Sequence, residues 1–458
     1  MAARVDALLA TLREAHAPVP AGALATRLGI SQPTLSRAAA DAGQRVVRIG
    51  RARATRYALS REVPRAGSRW PLYRIDPDGS PHRLGELRAL HGGAFHLEVV
   101  RRTTSLRGAF ALGLFPGLPW FLDDVRPQGF LGRAFARAYA DEVDAPTDVQ
   151  RWNDDHVLRA WLRHGENLAG DLVLGEASLE RALRFIRNPS DAIEPAKRET
   201  RFIELADAAM RGELPGSSAA GERPKFLATL REPGGGRSVL VKLSERAGSP
   251  AAQRWADLLR CERLASDTLR AHGIAAAHEE IVEAGGRTFL QSTRFDRTPR
   301  LGRRGFVSLA SLDVAHLARG HGEWWRFAEP LRRDGWITEE DARRLRRLSL
   351  FGRFIANTDM HLGNVAFEMA DALPLALCPA YDMLPMRFAP AGTGEIVPRD
   401  HDVAPPLPEI LDDWRFAALA AEDFWQRVCG SDAISADFRS VAERALQTVG
   451  DARSRYAG

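Results

Sequence analysis

Lysine is nearly missing from this chain. Only Lys197, Lys225 and Lys242 occur among 64 lysine and arginine residues, so arginine serves wherever any cation will do. A lysine kept against that bias marks a place that wants a compact ammonium with freely rotating donors. Cysteine is scarce too. Cys261, Cys378 and Cys429 are odd in number and far apart, which argues against a disulfide frame and gives no zinc-ligand spacing. No apolar run reaches the roughly 18 residues that could span a bilayer. The nearest, residues 108–122, is broken by Pro116, Gly117 and Pro119. Arg4, Asp6 and Arg13 interrupt the apolar positions at the N-terminus, so a signal-peptide pattern is lacking. A cytoplasmic protein with no membrane partner is the expectation. The chain has 458 residues, 45% hydrophobic and 27% charged, and should form roughly two to four ordinary domains.

The net charge of +5 is unevenly spread. Residues 1–60 hold nine Arg against three acidic residues, and the remainder is about neutral. A basic head on a neutral body points to an anionic partner for the head alone. Apolar spacing predicts a helix over residues 3–14, closed by Pro18 and Pro20, and a short second helix over 21–28 that Gly29 breaks. Ser31 is a natural N-cap for a third helix reaching about Asp41, with Pro33 in its first turn. A helix, a Gly turn and a helix opening Ser-Gln-Pro-Thr-Leu-Ser-Arg form a helix-turn-helix arrangement. Residues 45–59 read as two strands around an arginine-studded tip, the wing of a winged helix. Gln32, Thr34, Ser36 and Arg37 would then face a major groove, while Arg51, Arg53 and Arg56 would meet phosphates or a minor groove. The competing reading is the same fold used for protein contacts, with its arginines merely solvated.

Residues 61–70, with Pro64, Gly67 and Ser68, read as a linker. Residues 70–200 read as scaffold of mixed structure, with 154–187 helical. Chemistry begins at Gly216-Ser217-Ser218-Ala219-Ala220-Gly221-Glu222-Arg223-Pro224-Lys225, whose small residues would let backbone N–H groups approach an anion. It matches neither common glycine-rich phosphate motif, and a plain surface turn has the same composition. A hairpin follows, and Lys242 lies in its returning strand among Val239, Leu240, Val241 and Leu243. Loop, hairpin and strand lysine is how a kinase N-lobe covers ATP. A long helix over 251–271 carries Glu262, a candidate partner for Lys242 beside its competitors Asp257 and Glu279. Residues 287–297 read as a strand entering a charged turn, where a kinase holds adenine.

Residues 355–367 hold the densest polar cluster. An apolar helix leads in, a strand leads out, and Asp359 and Asn364 lie five residues apart, the offset of a kinase catalytic loop. Asn357, Asp359 and Asn364 also suit helix capping and turns. A second hairpin over residues 365–379 is expected to end at Asp382, placing another carboxylate on the same metal.

Four stretches carry a resemblance: Ser218–Lys225, Arg294-Phe295-Asp296-Arg297, Asn357-Thr358-Asp359-Met360-His361-Leu362-Gly363-Asn364, and Tyr381-Asp382-Met383-Leu384. In this order they resemble the HipA family of serine/threonine kinases, toxins of type II toxin–antitoxin systems. The added helix-turn-helix looks like the YjjJ branch of that family. The resemblance implies an α+β architecture: a winged helix-turn-helix over 1–62, a HipA-like N-terminal subdomain over 63–200, an N-lobe over 201–300 and a helical C-lobe over 301–458. It implies ATP and Mg²⁺ as cofactors and Asp359 as proton acceptor, with Asn364 and Asp382 on the metal. It implies nucleotide contacts from Ala220, Gly221, Glu222, Arg223, Pro224, Lys225, Lys242, Thr293, Arg294, Phe295, His361, Asn364 and Tyr381. Ser218, with Ser217 beside it, stands at the family's autophosphorylation position, where added charge would expel the loop. DNA, a protein substrate, a HipB-like antitoxin and a second copy in a homodimer are the partners it admits. Leu362-Gly363 replaces a stretch where the family often has Lys, and Thr293 stands where an acidic residue is common. Three functions therefore compete: a toxin kinase with its own DNA reader, a DNA-binding regulator whose body binds nucleotide but transfers little phosphate, and a small-molecule phosphotransferase.

Overall fold

The computed structural model describes residues 2–100, 103–214 and 221–456. Its first helix, α1 (Ala2–Ala15), turns Val5, Leu8, Leu9 and Leu12 inward, the spacing of a helix buried on one side. After β1 (Val19–Pro20), α2 (Ala21–Leu28) stops at Gly29 in the left-handed region, and α3 (Gln32–Asp41) starts on Ser31, whose side chain accepts from the Thr34 amide. The strands β2 (Val46–Ile49) and β3 (Arg56–Leu59) complete a three-stranded sheet in the order β1-β3-β2. One side of it closes the small core of the three helices through Val46 and Tyr57. Its other side, with Val47, Ile49 and Ala58, packs on Leu90 and the partly buried Leu112 and Leu114.

The head is therefore held by the body, and residues 61–70 are no free linker. Val63 and Trp70 are buried, the Arg61 amide donates to the Ala89 carbonyl at 2.9 Å, and the Arg61 guanidinium grips Asp155 at 2.6 and 2.9 Å. Proline and glycine here shape a tight packed turn, with Arg65 and Gly67 in the left-handed region, and composition alone cannot tell such a turn from a tether.

The next layer is an antiparallel sheet in the order β7-β6-β5-β4-β8, made of β4 (Arg69–Ile75), β5 (Pro81–Ala89), β6 (Phe95–Val99), β7 (Leu114–Phe115) and β8 (Leu172–Leu174). Helices α4 (Gly129–Tyr139), α5 (Asp154–His164), α6 (Glu176–Arg187) and α7 (Arg198–Met210) accompany it. The expected helical stretch over 154–187 is thus split by β8, which pairs with β4. Three apolar residues carry no period, and strand pairing decides their state.

A second sheet, in the order β11-β12-β10-β9, carries several of the candidate site residues. It comprises β9 (Lys225–Glu232), β10 (Gly235–Leu243), β11 (Glu279–Ala284) and β12 (Arg287–Thr293), with α8 (Pro250–Ala271) crossing between β10 and β11. Side chains alternate across a strand. Phe226, Val239 and Val241 accordingly join Phe202 of α7 in one core, while Lys225, Leu227, Leu240 and Lys242 line the opposite cleft.

The C-terminal part adds β13 (Phe306–Ser308), α9 (Leu309–Leu312), α10 (Trp325–Arg333), α11 (Glu339–Phe354), β14 (Ala366–Glu368), α12 (Leu411–Cys429) and α13 (Ala436–Tyr456). The hairpin expected over residues 365–379 forms only in part. β14 takes β13 as its ladder partner, and the returning segment keeps one bridge, Phe367 with Leu377. Among the described residues no helix is long and apolar enough to cross a membrane.

A buried charge cluster joins the two sheets. Asp296 accepts from Arg294 Nε and Nη2 at 2.9 and 2.7 Å, from Arg297 Nη1 at 2.7 Å and from the Gly170 amide at 2.8 Å. Arg297 donates onward to the Leu168 carbonyl at 2.6 Å. Burial alone would raise the Asp296 carboxyl, but Arg294 and Arg297 outweigh it and hold the group well below the carboxylate range. A depressed carboxyl stabilises the fold above its unfolded pKa and loses that contribution as pH falls through its folded value. Asp296→Ala would strand buried guanidinium groups and should cost about 3–5 kcal/mol at pH 7, read as a lower urea midpoint, with the deficit shrinking in acid. An unchanged midpoint at pH 7 would show that the cluster is not a structural hub.

Candidate active site

Lys242 sits near the end of β10, between the buried Val241 and Leu243, and lines the cleft. It donates to Glu262 Oε1 of α8 at 2.5 Å and to the Asp382 carboxylate. The competing carboxylates do other things: Asp257 accepts from the Ser435 amide and hydroxyl, and Glu279 is a half-buried neighbour on β11 whose carboxylate oxygens are shielded from solvent. Lys225 begins β9 directly across the ladder from Lys242, so it is a strand residue and not part of a loop. Three carboxyls, Glu262, Glu279 and Asp382, thus surround two ammonium groups. Burial would lower the Lys242 pKa, but Asp382 and Glu262 overcome it, so Lys242 stays charged. Burial pushes Glu262 up to about 8 and Glu279 up to about 7 against the pull of Lys242. Burial likewise brings Lys225 down to about 8, opposed by Asp382. Burial would raise Asp382 too, yet Lys242 and Lys225 keep it low and ionised. Within this group the two glutamates are raised and Asp382 is lowered.

The segment after α11 is shaped by Asn357. Ala356 lies in the left-handed region and ends the helix. The Asn357 side chain then accepts from the Asp359 amide at 3.0 Å and donates to the Asp382 carbonyl at 3.0 Å, tying the two acidic segments together. Asn364 is buried and donates from Nδ2 to the Asp359 carbonyl at 2.8 Å, which leaves its amide oxygen as the atom outside this bond. Tyr381 donates to the Gly363 carbonyl at 2.8 Å and stacks on Phe295, ring centres 5.6 Å apart. Asp382 itself has φ 55°, a conformation aspartate tolerates better than most residues.

A cavity of about 630 Å³ collects these groups. Lys225, Lys242, Glu262, Thr293, Arg294, Phe295, His361, Asn364, Tyr381 and Asp382 all line it. Others do not. Asp359 is exposed and lies one residue outside the lining stretch 360–364. Glu222 pairs with Arg133 of α4 at 2.5 Å, and the Arg223 guanidinium carbon lies over Trp255 of α8, 3.5 Å from the ring centre. Burial with little countercharge lowers Arg223 to about 10. Although Arg294 lines the cavity, its guanidinium is turned to Asp296. Gly221, in the left-handed region, accepts from the Phe130 amide of α4 at 3.1 Å. Ala220 and the serines Ser217 and Ser218 lie outside the described residues. Sequence reasoning missed Asp124 and Gln128, which the first half of the chain contributes to the lining, and the 320–322 loop opposite the sheet. Neither carries a motif.

The residues proposed for DNA are set apart from this cleft. Gln32, Ser36, Arg37, Arg51 and Arg53 are exposed, Thr34 and Arg56 half-buried. The Thr34 hydroxyl lies 2.9 Å from the cap Ser31 Oγ, so the helix cap already engages it.

Comparison with known proteins fits this geometry. Residues 66–183 match the family described as the YjjJ-like toxin, middle domain, and residues 217–449 the HipA-like C-terminal domain. Toxin YjjJ of Escherichia coli (strain K12) is 35% identical over 441 residues, 96% of this chain and 97% of that protein. Among solved structures, HipA from Shewanella oneidensis MR-1, in complex with HipB and its operator DNA, superposes with a TM-score of 0.50 at 15% identity, covering 84% of this chain and 97% of HipA; that likeness concerns the fold. With a HipA-like cleft behind a YjjJ-type middle domain, and a relative matched almost end to end, this chain belongs to the YjjJ-like toxins of the HipA family.

Proposed function

We propose that this chain is an ATP- and Mg²⁺-dependent serine/threonine protein kinase acting as a toxin, with its own DNA-binding head. The observation that carries the reading is the joint placement of Lys242, Glu262, Asp382 and Asn364 in one cleft. Such a lysine–glutamate pair on a strand and a helix holds nucleotide phosphates in kinases. Among the described residues no three or more His, Cys, Asp or Glu side chains gather as a metal cage. Mg²⁺ does not need one, since it keeps waters and substrate phosphates and takes one or two protein oxygens. The Asp382 carboxylate and the Asn364 amide oxygen suit that role. When bound, the metal neutralises charge that develops on the phosphates. Lys242 orients those phosphates, Thr293 and Phe295 border the base, and Tyr381 braces Phe295 and the turn at Gly363. Asp359 accepts the proton of the acceptor hydroxyl, and its exposure leaves room for a protein substrate.

Phosphorylation at Ser218 or Ser217 would act as the off switch by charging the phosphate-side loop. Incubation with labelled ATP and Mg²⁺ should give transfer to protein, with phosphate found on the peptide carrying these serines. Asp359→Asn should lower transfer by about a hundredfold or more while ATP still binds. A wild-type protein that binds ATP and transfers nothing would overturn the kinase reading. It would favour the second one, a DNA-binding regulator with a nucleotide-binding body, which draws support from the position of Asp359 outside the cavity lining.

The head, by this proposal, is a winged helix-turn-helix. It reads a groove with Gln32, Ser36 and Arg37 at the start of α3, and Thr34 steadies the cap. Arg51, Arg53 and Arg56 meet the backbone. The HipA structure holds HipB and operator DNA in one complex, and by analogy a HipB-like protein or a second copy would be an additional partner of this chain. Arg53→Ala should weaken DNA binding evenly across sequences and reduce the salt-dependence slope by about one, measured by mobility shift at several salt concentrations. An unchanged slope would remove the wing from the DNA interface.

A further inference from the structure

The catalytic segment has no polar side chain between His361 and Asn364, because Leu362 and Gly363 stand there. That stretch therefore offers a triphosphate no side-chain donor of its own, and beyond the sheet lysines Lys225 and Lys242 the cavity lining has few cations. Lys242 is committed to Glu262 and Asp382, and Arg294 to Asp296. His361 Nδ1 accepts from the Gly363 amide at 3.1 Å. The cavity has a further basic side chain, His321, at the tip of a loop that comes from neither the sheet nor the catalytic segment. Gly320, His321 and Gly322 line the cavity together with residues 360–364.

This loop is built to hold its tip in place. At its start, Asp313 Oδ1 and Oδ2 accept from the Arg319 and Gly320 amides at 2.9 and 2.7 Å, and its carbonyl accepts from the Ala318 amide at 2.7 Å. Ala318, Gly320 and Gly322 have φ of 53°, 80° and 158°, a sequence of left-handed turns that glycine makes affordable. At its end, the fully buried Trp324 donates from Nε1 to the His361 carbonyl at 3.2 Å, and Glu323 pairs with Arg353 of α11 at 2.5 Å. The tip is thus anchored to the same carbonyl turn that carries the catalytic residues, while the His321 side chain remains exposed.

We infer that the Gly320-His321-Gly322 tip is a second phosphate-side arm of the cleft, with the His321 imidazole donating to the terminal phosphate of a bound nucleoside triphosphate. The inference rests on the nucleotide-binding reading above and adds a residue to it. It makes His321 the group that distinguishes a triphosphate from a diphosphate, since only the former reaches the arm.

Calorimetric titration of the full chain with Mg²⁺ and either ADP or a non-hydrolysable ATP analogue tests this. The wild type should bind the triphosphate more tightly, by about tenfold for a charge-assisted hydrogen bond. His321→Ala should lose that preference and leave ADP affinity unchanged, and His321→Lys should restore it. The exposed position lets both variants fold, which equal thermal midpoints would verify. If His321→Ala keeps the full preference, the arm does not contact the phosphate, and the nucleotide reading survives. If the wild type binds neither nucleotide, both fall together.

Discussion

The ammonium of Lys242 ties three parts of the fold at one point: strand β10 that carries it, helix α8 through Glu262, and the segment beyond the 357–364 turn through Asp382. The contact is largely buried, and the ammonium opposes the rise that burial imposes on both carboxyls. Burying an ion pair adds little net stability, because desolvation cancels most of the attraction. What it supplies is register. The sheet, the helix and the 381–384 turn must be in place together before the charges are satisfied. Asn357 extends the constraint by tying the Asp382 backbone to Asp359.

A second charge cluster, around Asp296, does for the domain arrangement what Lys242 does for the cleft. It joins residues 167–171 of the first half to the turn after β12. The Arg-Phe-Asp-Arg stretch thus divides its labour. Phe295 meets Tyr381 at the cleft, while Arg294, Asp296 and Arg297 turn into the interior. The stretch is a turn after β12 and not a strand, so its side chains follow no strict alternation.

Much of this was legible in the sequence where local chemistry decides structure. The three head helices follow from apolar spacing, a serine cap and Gly29. Lys242 stood out because lysine is so rare, and Asp359 and Asn364 because of their offset. What sequence could not show was long-range. Short strands such as β8 and β13 lack a period, and their state depends on a partner far away in the chain. The resemblance made Arg223 a nucleotide contact, yet its guanidinium lies over the indole of Trp255, thirty-two residues on. Asp124, Gln128 and His321 reach the cleft through tertiary packing alone.

By the proposed function Asp382 has two partners in turn, Lys242 in this structure and a metal when nucleotide is bound. Titration of the wild type and Asp382→Asn with ATP, each with and without Mg²⁺, measures this directly. Mg²⁺ should strengthen ATP binding to the wild type and make no difference to the variant. Equal Mg²⁺ dependence in both proteins would contradict the assignment of the cleft.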